Sequence, residues 1–233
     1  MLIGGDFLHC LKKGSENMWY NILEYFEKDM DTYLQAIGEH LTISLLSLLV
    51  AIIIGIPFGI LSTKNKEWYK WVTAGFNTLR IVPSLAVLIM LIPIVGTGIK
   101  PALIALVLLG IPPILLNTAL AFNTIPEFMI ETSMAMGMSK SQSFWKVKVP
   151  LAVPLMLTGI KTAMVEIIAS ATLAAYIGGG GVGNIIFTGL GLNRADLLII
   201  GGVTVAVLSM LANVTMLGLE RYLLRYKYVN SNI

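Results

Sequence analysis

The sequence predicts an all-α, polytopic membrane protein of about five transmembrane helices, with an amphipathic helix ahead of them. Three observations carry that prediction. Hydrophobic residues make up 56% of the chain and charged residues only 12%, against about 25% charged in an ordinary soluble domain. The mean hydropathy is +0.82. The missing charge is also concentrated, because several stretches approach the ~20 apolar residues that a helix needs to cross a bilayer core. A soluble core could not bury that much apolar surface, so lipid covers part of it.

Residues 17–39 read as the amphipathic helix. Trp19, Ile22, Leu23, Phe26, Met30, Tyr33, Leu34 and Ile37 recur at helical spacing, and Glu24, Glu27, Asp29 and Asp31 lie among the rest. Two placements suit this pattern: along the outer membrane surface with its aromatics at the interface, or packed on the bundle. The polar N-terminus ahead of it lacks the apolar core of a cleavable signal peptide. Targeting is therefore expected to rely on the first membrane helix.

The first span is residues 41–61, which hold no charge. The second has its core at 79–95, with Arg80 at its entrance and Pro83 and Pro93 inside. The third is 101–122 and contains Pro112 and Pro113; the fourth is 153–177 and carries Lys161 and Glu166; the fifth is 197–219. Prolines can break the second or third run, so the count is five within one.

Basic residues set the orientation. Lys64, Lys66 and Lys70 follow the first span, Lys140, Lys146 and Lys148 follow the third, and Arg221, Arg225 and Lys227 follow the last. All fall on one side, which is therefore cytoplasmic. Lys100, Arg194 and Lys28, with Lys12 and Lys13 further off, fall on the other. The N-terminus is thus expected outside and the C-terminus in the cytoplasm. Residues 1–40 form an external segment, 41–220 the membrane domain and 221–233 a cytoplasmic tail.

The net charge of +3 is too small to indicate nucleic-acid binding. One cysteine (Cys10) and two histidines (His9, His40) make no internal disulfide and a poor metal set, so neither metal nor cofactor is expected. Both histidines fall in the external segment, away from any intramembrane serine, and no catalytic residue is assigned. Ser44, Ser47, Ser170 and Ser209 read as small polar residues at helix contacts.

The connection at 126–150, PEFMIETSMAMGMSKSQSFWKVKVP, is the most informative segment. Residues 131–136 have helix-forming composition, Gly137 interrupts them, and Ser139 can cap a second short helix running to Trp145. Met134, Met136, Met138, Phe144 and Trp145 give this knob an apolar surface rimmed by Lys140, Lys146 and Lys148. Composition alone leaves two uses open, docking into a groove on a soluble partner or lying on lipid headgroups.

This segment resembles the coupling loop of binding-protein-dependent ATP-binding cassette importer permeases. The family pattern is Glu-Ala-Ala, three residues, Gly, nine residues, Ile, one residue, Leu, Pro. Here Glu131, Thr132 and Ser133 stand in the first triplet, Gly137 falls at the required spacing, and Val147, Lys148, Val149 and Pro150 close it. Thr and Ser replace the alanines, and Val replaces Ile and Leu.

The resemblance implies a type I ABC importer permease fold. It also implies that Glu131, Ala135, Met136, Gly137, Met138, Ser139, Lys140 and Pro150 couple the chain to an ATPase. Two ATP-binding cassette subunits, a second permease chain (identical or paralogous) and an extracellular substrate-binding protein are the implied partners, in a bacterial plasma membrane. ATP hydrolysis then belongs to the partners. Residues 56–61 (IPFGIL), 82–85 (VPSL), 91–101 (LIPIVGTGIKP), 112–118 (PPILLNT) and 135–138 (AMGM) look like the branch that imports glycine betaine, carnitine, choline and related quaternary amines. The methionine-importer branch is the next resemblance. A membrane scaffold that anchors a soluble partner is the alternative of a different class.

Two further features bear on the pathway. The run 178–183, GGGGVG, contains the spacing GxGxxG, but without the Lys-Ser or Lys-Thr of a phosphate loop it reads as a flexible turn at the mouth of the pathway. Glu166 sits mid-span, where an ionised group needs a partner or water. Lys161 is five residues earlier, about 140° around the helix, and near enough to the cytoplasmic end to snorkel. Glu166 is read either as lining the pathway or as bonding a neighbouring span. Pro83, Ser84, Glu166 and Tyr176 are the candidate pathway or gate residues. The spans carry few aromatics, so an aromatic cage for a quaternary amine is expected on the binding protein.

Overall fold

The computed structural model describes residues 18–224, so the expectations for His9, Cys10, Lys12, Lys13, Arg225 and Lys227 lie outside it. The described residues are helical, with no strand among them. Helix α1 covers residues 18–28. It is followed by α2 (Met30–Ser62), α3 (Lys66–Leu79), α4 (Ser84–Val95), α5 (Ile99–Asn123), α6 (Glu127–Ala135), α7 (Lys140–Ser143), α8 (Val149–Ala174), α9 (Gly183–Gly191) and α10 (Ala195–Leu223). Among the described residues four helical stretches are long and apolar enough to cross a membrane, and a bent pair makes a fifth if it is one span.

That bent pair is the expected second span. Its two halves, α3 and α4, meet at 92°. Pro83 is the cause: proline pushes the residue before it out of the helical region, and Pro83 itself sits at φ −59°, ψ 135° as the N-cap of α4. At 12 residues, α4 is about 18 Å long, too short to cross the ~30 Å hydrocarbon core by itself. By contrast, α5 runs unbroken through Pro112 and Pro113. Both prolines are buried there, and neighbouring helices hold the chain in register where local hydrogen bonds cannot.

The core is the packing of α5 between α2 and α8. Ala51, Ala105, Leu106, Ile114, Leu115, Ala163 and Ile167 are sealed in it. Small residues let the backbones approach. At Gly59 a Cβ would stand 2.7 Å from the Thr118 Cβ and 2.8 Å from the Leu115 oxygen, so only glycine fits that crossing unmoved.

Three expectations are corrected where α1, the start of α2 and the glycine-rich run come together. The amphipathic segment is not one helix to residue 39: the helix breaks at Asp29, and 30–39 form the first turns of α2. The expected boundary after residue 40 thus falls inside a continuous helix. Of the two placements, the structure has the bundle one. Tyr25, Phe26 and Tyr33 meet edge to face and pack with Ala36, Ile185, Leu197 and Ile200. The Thr204 hydroxyl donates to the Ile200 oxygen (2.6 Å), and the Tyr33 hydroxyl then donates to Thr204 Oγ1 (2.8 Å).

His40 is fully buried in α2, where its Nε2 donates to the Ile168 oxygen at 3.0 Å. The glycine-rich run is a packed junction rather than a flexible mouth. Gly178, Gly180 and Gly181 adopt φ of +83°, +78° and +79°. Glu39 Oε2 accepts from the Gly181 amide (3.0 Å), and the Gly98 amide donates to the Ile177 oxygen (2.7 Å). These bonds tie the end of α8 to α2 and to the α4–α5 turn.

Lys161 also departs from expectation. Rather than reaching the surface alone, its Nζ lies 3.5 Å from Glu220 Oε2 on α10, with the two side chains 27% and 24% exposed.

Candidate functional site

Two places gather the residues singled out by sequence: the connection between α5 and α8, and a cavity at the kink of the broken span.

In the connection, α6 ends in a Schellman turn. Gly137 stands at φ +83°, its amide donates to the Met134 oxygen (2.9 Å), and the Met138 amide donates to the Ser133 oxygen (3.2 Å). Ser139 then starts α7 with a capping box: its Oγ accepts from the Gln142 amide (3.3 Å), while Gln142 Oε1 accepts from the Ser139 amide (2.9 Å). The chain continues through a π-turn at Phe144–Lys148, whose closing bond runs from the Val149 amide to the Phe144 oxygen. The π-turn resets the hydrogen-bond register just before Pro150, which has no N–H to give. Pro150 accordingly lies in the first turn of α8 and does not separate the knob from the span.

The knob is held together, and fixed to α5, by contacts that the pattern did not reveal. The Ser133 hydroxyl donates to the Ile130 oxygen (2.7 Å) and accepts from the Ser143 hydroxyl (2.6 Å), both side chains being buried. The serine that replaces the motif's second alanine therefore has its own partner ten residues on. Phe144, expected on the apolar surface, instead stacks on Phe122 of α5, with centroids 5.7 Å apart and planes 17° apart. Met136 (74% exposed) and Trp145 (66%) do face outward. Glu131, Ala135, Gly137, Ser139 and Lys140 are exposed beside them, whereas Met138 and Pro150 are half-buried.

The second place is a cavity of about 420 Å³ enclosed by the α3–α4 kink, α5 and α8. Pro83, Ser84 and Glu166 all line it. Arg80, expected at a span entrance, caps α3 at the kink, and its Nη2 lies 2.9 Å from Glu166 Oε1. This pair spans 86 residues of sequence, so no local spacing could have signalled it. Glu166 thus has both features that had been alternatives, a wall position and a bond to a neighbouring span. Ser170 lines the same cavity, while Ser44 and Ser47 are buried at helix contacts. Tyr176 is elsewhere: it is exposed in the 3-10 turn that follows α8, tilted against Phe187 at 5.5 Å.

Residues 55–225 match the family described as the binding-protein-dependent transport system inner membrane component. The chain belongs to that family. It is 36% identical to the carnitine transport permease protein OpuCB of Listeria monocytogenes, over 85% of this chain and 91% of that protein. It is 32% identical to the choline transport system permease protein OpuBB of Bacillus subtilis, over 88% of this chain and 94% of the relative. Its fold is that of a solved inward-facing form of the MetNI methionine ABC transporter (TM-score 0.75, 24% identity), covering 83% of this chain and 97% of the other. The permease is therefore a membrane-spanning component of a bacterial ABC importer, a system that includes ATPase subunits and a substrate-binding protein.

Proposed function

We propose that this permease carries quaternary-amine osmoprotectants (glycine betaine, carnitine, choline or a close relative) through the bacterial plasma membrane, driven by partner ATPases. The observation that carries this reading is the near full-length similarity, at 36% and 32% identity, to permeases named for carnitine and choline transport. The likeness to a methionine transporter, at 24% identity, bears on the fold and not on the substrate.

In this reading two ATPase subunits each receive one α6–α7 knob. Glu131, Ala135, Met136, Gly137, Met138, Ser139, Lys140 and Pro150 form the coupling element. The exposed Met136 and Trp145 support a docking face, and the unbroken helical path from the knob into α8 supports rigid transmission of motion. The N-terminus lies outside and the C-terminus in the cytoplasm, in keeping with the lysines that flank α3 and α7. Substrate passes between this chain and a second permease chain along the Arg80–Glu166 cavity, with Pro83 and Ser84 at its gate. Tyr176, remote from that cavity, marks the outer end of the route.

The test is uptake of labelled glycine betaine, carnitine, choline and methionine by a transport-deficient bacterium that expresses the chain with its ATPase and binding protein. Uptake of one or more quaternary amines, lost when the binding protein is omitted, is expected. Uptake of methionine alone overturns the substrate class.

A further inference from the structure

The cavity at the kink holds a charge arrangement that translocation does not by itself require. Arg80 and Glu166 are the charged residues on its wall among the described residues. Their side chains remain 40% and 39% exposed although they pair at 2.9 Å, so a solute can reach both. Intramembrane charges are costly, and an ion pair is often replaceable by well-packed apolar groups without loss of stability. A pair kept where solute can reach it offers two poles of opposite sign at a fixed separation.

A second feature of the wall is in the main chain of α5. Pro112 and Pro113 have no N–H, so they cannot return the usual helical hydrogen bond to the carbonyls of Leu108 and Leu109 one turn earlier. Both leucines line this same cavity. The wall thus includes two residues whose carbonyls lack their ordinary helical donors, while Arg80 presents a planar fork suited to a carboxylate.

We propose that Arg80 and Glu166 read a zwitterion during translocation. A small solute bearing a carboxylate and an ammonium or quaternary-ammonium group enters between them. Its carboxylate meets the Arg80 guanidinium, and its cation meets Glu166. Without solute the two side chains satisfy each other and draw the kink of the broken span against α8. With solute each keeps a partner of opposite sign, so the kink and α8 separate without leaving a charge unpaired in the membrane. This rests on the transport reading above and assigns the residues that select within it.

The experiment uses the whole transporter in the transport-deficient bacterium, with labelled glycine betaine and labelled methionine, both zwitterions. Wild type is compared with Arg80→Gln, Glu166→Gln, the double variant and Arg80→Lys, and membrane content and co-purified ATPase are measured for each. The double variant is expected to insert and assemble, yet to lose uptake by about tenfold or more, the scale of one charge-assisted hydrogen bond. Arg80→Lys, which keeps the charge, retains more uptake than Arg80→Gln. A purely structural pair gives the opposite pattern, with the singles damaged and the neutral double restored, because no charge is then stranded. Recovery of the double variant to within about twofold of wild type, or its loss from the membrane, overturns the proposal. Wild-type uptake of methionine but not betaine sinks only the osmoprotectant assignment, since the variants are then read on methionine. Uptake of neither overturns this proposal, and uptake of choline in their place leaves the quaternary-amine reading standing without it.

Discussion

Replacing Gly137 separates backbone from bulk at the knob. Its φ of +83° is a conformation that L residues rarely adopt, and nothing lies within 4 Å of a Cβ built there. A side chain therefore meets no neighbour within the chain, and the cost of substitution is conformational. That cost is about 1–2 kcal/mol for an ordinary L residue. It is smaller for asparagine, which takes the left-handed C′ position more readily, and larger for a β-branched residue. A cost of ~1–2 kcal/mol shifts an equilibrium by roughly 5–30-fold. The turn sets the angle between α6 and α7, so a relaxed turn re-aims Met136 and Trp145. The assay is ATP-driven uptake and ATP hydrolysis in proteoliposomes holding this chain, its ATPase and loaded binding protein. Uptake is expected to rank glycine, then asparagine, then alanine, then valine, with Gly137→Ala reduced by up to roughly 5–30-fold. Side-chain volume alone would put alanine above asparagine. That inverted order, or wild-type uptake by Gly137→Val, refutes the reasoning.

Three further outcomes are expected from thermal unfolding of the purified transporter. Gly59→Ala forces a Cβ against Thr118 and the Leu115 oxygen and destabilises by about 1–3 kcal/mol, as overpacking does; Gly218→Ala, which has nothing within 4 Å, is neutral or slightly stabilising. Ser133→Ala leaves the buried Ser143 hydroxyl without its partner and costs about 1–3 kcal/mol, whereas the double alanine variant regains most of that. Lys161→Met strands a Glu220 that is 24% exposed. Its cost falls between the ~0.2–1 kcal/mol of a surface pair and the ~3–5 kcal/mol of a broken buried one, and Lys161→Met with Glu220→Met recovers it.

The parts of this protein that were legible in its sequence are those written in local pattern. Long apolar runs located α2, α5, α8 and α10, because membrane burial demands a contiguous apolar stretch. The Gly137 turn and the Ser139 cap were readable because each depends on one residue type at one backbone position. Prolines were ambiguous, since their effect depends on what surrounds them. Pro83 bends a span by 92° where the chain faces a cavity, whereas Pro112 and Pro113 leave α5 continuous between two neighbours. Partners far apart in sequence stayed hidden: Arg80 with Glu166, Lys161 with Glu220, Phe122 with Phe144, His40 with Ile168. Each spacing reading described one helix at a time, and these contacts exist only once helices meet. The glycine run illustrates the same limit, because composition signals freedom to turn but not the Glu39 and Gly98 contacts that hold the turn in place.

The most direct test of the central claim is accumulation of labelled glycine betaine in proteoliposomes containing this permease, its ATPase and its binding protein. The account predicts accumulation above the external concentration that requires ATP and loaded binding protein together, and that collapses in Gly137→Val. Accumulation without the ATPase, or ATP-driven accumulation that persists undiminished in Gly137→Val, would contradict it.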